Sequence, residues 1–180
     1  MFCFALNTLV YSQSKLDSIQ DSKDFIEEKV KSSAALPGYV NHVFFQNILR
    51  IDADTLANRR LSDDEFKYLF IYGYDYYFDE YKTKWGWSNA WAFDIRGITK
   101  VSTTRVAVGE YYYYQISIYL SGLYFANQHA KHSGPSTTNK YVSKVDITIG
   151  DDAQLAIQIK KAIIRLSGLY GIKVRDGDQF

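Results

Sequence analysis

Residues 140–170 read KYVSKVDITIGDDAQLAIQIKKAIIRLSGLY, and the pattern of apolar and polar positions there predicts a strand, a turn and a helix. Tyr141, Ser143, Val145, Ile147 and Ile149 alternate with Val142, Lys144, Asp146 and Thr148, the period of two expected of a strand with one buried face. Gly150 interrupts the alternation. Asp151 and Asp152 then place acceptors and negative charge where a helix begins, and Lys160, Lys161 and Arg165 fall in its second half, where positive charge suits the macrodipole. Leu155, Ile159, Ala162, Ile163 and Leu166 make one apolar stripe predicted to pack inward, and Gly168 and Gly171 supply the stop.

The same reading organises the rest of the chain. Over residues 15–33, Leu16, Ile19, Phe25, Ile26 and Val30 share roughly one face among mixed charges, which predicts a helix packed on the domain. Its acids, among them Asp17, Asp21 and Asp24, disfavour an anionic membrane surface as its partner. Residues 39–51, with His42 inside them, read as a first strand. In residues 62–72, SDDEFKYLFIY, a capping box competes with period-two alternation, and the surplus of β-forming residues decides for a strand. Residues 88–93 predict another strand. Two more, 100–108 and 110–120, are joined at Gly109 as a hairpin, with Tyr112, Tyr114, Ile116, Ile118 and Leu120 inward and Tyr111, Tyr113, Gln115, Ser117 and Tyr119 outward. Residues 121–139, containing Gly134 and Pro135, predict a long loop.

Composition narrows the classes. The 180 residues suit a single domain, and 21 basic against 20 acidic residues, a formal charge of +1, leave no electrostatic footprint for nucleic acid. Sixteen tyrosines and eleven phenylalanines beside two prolines and one methionine favour a strand-dominated α+β protein over a helix bundle. The one cysteine, Cys3, permits neither an internal disulfide nor a zinc-thiolate site.

Residues 1–14, MFCFALNTLVYSQS, are uncharged and give way abruptly to the polar stretch from Lys15. They are read as a truncated signal segment, with Val10 and Ser12 as small residues before a cut at Gln13; the alternative is an ordinary buried N-terminal stretch. The expected division is therefore a signal segment over 1–14, one domain with an N-terminal helix over 15–171, and a tail over 172–180. The expected location is the periplasm or cell envelope, with no transmembrane span in the mature chain.

The segment WSNAWAFDIRGITKV at residues 87–101, the tyrosine-rich hairpin and then YVSKVDITIGDDAQLAIQIKKAIIRLSGLYG resemble small exported bacterial proteins of unknown function with a pleckstrin-homology-like (PH-like) barrel. That resemblance spans about residues 13–171. It implies a barrel of antiparallel strands closed by the C-terminal helix, and it transfers no active site. Arg59 and Arg60 stand among Asp52, Asp54, Asp63 and Asp64, which departs from the dense basic cluster of phosphoinositide-binding members.

No nucleophile elbow, phosphate loop or dinucleotide glycine pattern occurs. His129 and His132 have metal-site spacing but lack a visible third ligand, so they stand as candidates for a small metal-dependent hydrolase, while no metal and no cofactor is expected. Asp176-Gly177-Asp178 resembles a fragment of a calcium loop without the closing glutamate and reads as a turn or tail. The aromatic surplus is the remaining anomaly. Tyr111, Tyr113, Tyr119, Trp85 and Trp87 are the candidate ligand-binding residues of a non-enzymatic binding module for a protein or small ligand, with a carbohydrate-binding domain as the alternative.

Overall fold

The computed structural model describes residues 3–33, 41–44, 69–74, 77–78, 84–85, 87–130 and 136–178, with side chains described over 17–33, 93–107, 109–122 and 143–178. Helix α1 (Cys3–Ser32) precedes strands β1 (Asn41–Phe44), β2 (Leu69–Tyr74), β3 (Tyr77–Phe78), β4 (Lys84–Trp85) and β5 (Trp87–Asp94). A 3-10 turn (Ile95–Gly97) leads to β6 (Ile98–Val108), β7 (Tyr111–Ala130), β8 (Ser136–Ile149), helix α2 (Ala153–Leu169) and β9 (Arg175–Asp176). The chain is a strand-rich α+β protein. Among the described residues no helix is long and apolar enough to cross a membrane.

Strand β7 is the spine of the sheet. It pairs antiparallel with β8 along both halves, while β6 pairs with its first half, residues 111–120, and β5 with residues 126–130. Because β8 occupies one flank throughout, β5 and β6 must follow one another along the other flank. The 3-10 turn makes that step. Asp94 caps it by accepting from the Arg96 backbone N–H at 2.8 Å and also clasps the Arg96 guanidinium. Strands β2 and β1 extend the sheet beyond β5, antiparallel throughout.

The hairpin expected at Gly109 is present. Val108 pairs with Tyr111 across a two-residue loop, and Gly109 adopts a φ of 60°, a conformation open to glycine without a Cβ penalty. The predicted helix is also present: Asp152 accepts from the Leu155 N–H at 2.9 Å, and Ile159, Ile163 and Leu166 are buried. Helix α2 packs on β6 and β7 and against α1, which adds Ile26 and Val30 to the core beneath Val101, Ile116, Ile118, Val145, Ile147 and Ile149.

Three expectations change. The long loop of residues 121–139 is mostly strand, since β7 runs to Ala130 and β8 starts at Ser136. The sequence there lacks alternation because a register shift between Tyr119 and Tyr124 sets Ser143 against a longer stretch of β7. The barrel is an open sheet among the described residues: β8 pairs with β7 alone and no described strand joins it to β1, so the helices cover one face instead of plugging a closed end. Tyr112, expected in the core, is 48% exposed, because it lies on the correct face but at the hairpin end, under the Arg105 guanidinium at 4.1 Å. The stretch 62–68 of the predicted second strand, along with Arg59 and Arg60, lies outside the described residues.

Candidate functional site

The candidate site is the sheet face turned away from the helices. Alternation along β7 sends Ile116, Ile118 and Leu120 into the core and therefore puts Tyr111, Tyr113, Gln115, Ser117 and Tyr119 on the opposite face. Register adds the neighbours in rows. Tyr119 stands between Lys100 and Lys144, Ser117 between Ser102 and Asp146, and Gln115 between Thr104 and Thr148; Tyr113 is paired with Val106. A bulge at Thr99, whose hydroxyl donates to the Tyr119 carbonyl at 3.1 Å, lets Ile98 and Val101 both face the core while Lys100 turns outward.

Tyr111 is 57% exposed, and Tyr113 and Tyr119 are half-buried. The Lys100 ammonium lies 5.0 Å from the centre of the Tyr119 ring, within cation–π range. Asp146 accepts from the Ser117 hydroxyl at 2.6 Å and pairs with Lys144 at 3.0 Å, which orders the polar row beside Tyr119. The face thus offers phenol rings, an amide, hydroxyls and ammonium groups on three hydrogen-bonded strands. Such groups recognise a polar ligand by stacking and hydrogen bonding.

A buried polar cluster holds the edge of this face in place. Lys160 of α2, 4% exposed, donates to Asp176 at 2.8 Å and to Asp178 at 2.7 Å. Asp178 also accepts from the Thr103 N–H at 2.9 Å and from the Thr103 hydroxyl. Burial works against the Lys160 charge, but the two aspartates outweigh it and hold its pKa above the ordinary lysine value. The hydrogen bond from Lys160 leads in holding the Asp176 carboxyl below the ordinary range. For Asp178, burial pulls the other way and is overcome by Lys160 and Thr103. The segment read as a turn or tail is therefore docked: β9 runs parallel to β6, and the Gly177 N–H donates to the Val101 carbonyl at 2.8 Å.

Gly177 sits against the candidate face. A Cβ there would lie 2.4 Å from Lys100 Cε and 2.7 Å from Ser102 Cβ, so the strap and the Lys100 side chain share one space. The sequence reading missed this arrangement. Its only signal was Asp at positions 176 and 178, which on a strand face the same way, and a lysine within the apolar half of a helix. A second buried lysine, Lys23 of α1, is 3% exposed and lies 5.9 Å from the Tyr170 ring; burial lowers its pKa against the pull of Glu27 and Asp24.

The other sequence candidates lie elsewhere. Trp87 is paired with Ala130, roughly 60 Å along β7 from Tyr111 at an ordinary strand rise, and Trp85 belongs to the two-stranded β3–β4 ribbon. His129 lies in β7 opposite Ser88 and Thr137, not in a loop, and His132 is outside the described residues. Among the described residues no group of three or more histidines, cysteines or acids is placed to hold a metal. Comparison with family models, curated proteins and solved structures finds no match.

Proposed function

We propose that this protein is a non-enzymatic binding module whose recognition surface is the outer face of β6, β7 and β8, centred on Tyr113 and Tyr119 with Tyr111 at its end. The observation that carries the reading is the combination of an exposed or half-exposed tyrosine row with a rigid core directly behind it. Tyrosine gives large contact area at low entropic cost, and here Lys100, Gln115 and Thr104 supply polar contacts beside it. The ligand is a polar protein surface or a small polar molecule. The exported, cell-envelope setting belongs to the same proposal, supported by the uncharged stretch 1–14 that holds the one cysteine. So does a distant kinship with PH-like modules, supported by a C-terminal helix laid over an antiparallel sheet.

The test is the triple variant Tyr111→Ala, Tyr113→Ala, Tyr119→Ala. It should melt close to the parent yet lose whatever the parent retains from an envelope extract or a glycan array. A clear fall in melting temperature would instead assign these rings to the stability of the fold.

A further inference from the structure

A groove of about 520 Å³ lies between α1 and α2, on the helix side of the sheet and so apart from the tyrosine face. Its volume is within the range of small-molecule sites, about 300–1,000 Å³. Phe25 and Ala162 give it apolar walls, and Phe25 also packs on the core, which fixes that wall in position. Lys161 and Arg165 line the α2 side together with Gln158, and Asp21 stands on the α1 side. Four residues apart on a helix, Lys161 and Arg165 are neighbours on one face. Among the described residues neither has an ionic or hydrogen-bonding partner, whereas Arg96 and Arg105 are each clasped by a carboxylate.

We infer that this groove binds a small organic monoanion with an apolar body. The guanidinium of Arg165 has the planar fork that matches a carboxylate, Lys161 adds a second positive charge one turn away, and the apolar part lies along Phe25 and Ala162. Two cations against one acid leave the groove net positive, which favours an anion, while Asp21 opposes a second negative charge.

Phenylacetate and its neutral isostere phenylacetamide, titrated into the full chain and followed by NMR, test the inference. Phenylacetate should shift the Phe25, Ala162 and Arg165 resonances and bind at least about tenfold more tightly than phenylacetamide, the loss expected for one charge-assisted hydrogen bond. Added salt should weaken it. Arg165→Gln should lower its affinity by a similar factor without changing the melting temperature, and Lys161→Gln repeats the test should the first variant fold poorly. No groove shifts, equal affinity for both probes, or unchanged affinity in both variants would overturn the inference.

Discussion

Lys160 Nζ and Asp178 Oδ2 lie 2.7 Å apart, joining the buried side of α2 to the last described turn of the chain. Asp176 completes the clasp at 2.8 Å, so one ammonium tethers a two-residue strand to the edge of the sheet. Removing the lysine leaves two partly buried carboxylates facing one another without a cation. Lys160→Met should therefore destabilise the protein by about 3 kcal/mol, the lower end for a broken buried pair because both aspartates keep some contact with water. Urea denaturation measures this; a variant as stable as the parent would mean that the clasp contributes only position.

The same clasp predicts an acid limb of stability. Asp176 and Asp178 titrate below the ordinary aspartate value when folded, so their contribution is complete above that value, about pH 4, and is lost as the pH falls through their folded values. Lys160 is raised, so its share persists through neutral pH and is lost only as the pH rises above about 10.5. Melting temperature followed from pH 7 to pH 2 should fall more steeply in the parent than in Lys160→Met. Parallel curves would remove the aspartates as the cause.

Gly177→Ala should loosen the strap. The added methyl meets Ser102 Cβ and the Val101 carbonyl as well as Lys100, and only the lysine can swing aside, so about 1–3 kcal/mol of overpacking is expected. The effect should show as faster amide exchange at Gly177 and Thr103, whose N–H groups hold the strap to the sheet. Unchanged exchange would show that the strap tolerates the methyl by a small shift.

Neighbouring tyrosines on one face should differ. Tyr114 packs against the core, and Tyr114→Ala should cost about 2 kcal/mol, less than a fully buried aromatic because the ring keeps part of its surface in water. Tyr112 lies on the same face two residues nearer the turn and is 48% exposed, so Tyr112→Ala should stay within about 0.5 kcal/mol. Chemical denaturation of the two variants compares them directly, and equal losses would contradict the exposed placement of Tyr112 at the hairpin end.

Most of the fold around α2 and the hairpin was legible because its signals are local. Alternation in residues 143–149 and the stripe Ile159, Ile163 and Leu166 state which face is apolar, and Gly109 with its φ of 60° marks a tight turn. The strand character of residues 121–130 was not legible. A strand that pairs on both flanks across a register shift needs no clean alternation of its own, and its partners β5 and β8 lie far away in sequence. Of the candidate site, the sequence placed Tyr111, Tyr113 and Tyr119 on one face correctly, since a period of two fixes faces. It could not separate them from Trp87, because that distance depends on the length and pairing of β7.

By itself the sequence determined the strand before α2, α2 itself and the hairpin at Gly109, with the inward face of each, because backbone period and burial act residue by residue. Tertiary structure alone decided how far each face is covered. Tyr112 is exposed because it lies beside the hairpin turn at the end of the sheet, and Lys160 is buried because Asp176 and Asp178 return to meet it. A buried charge is stable only when its partners arrive, and chain reversal after Gly171 brings them there.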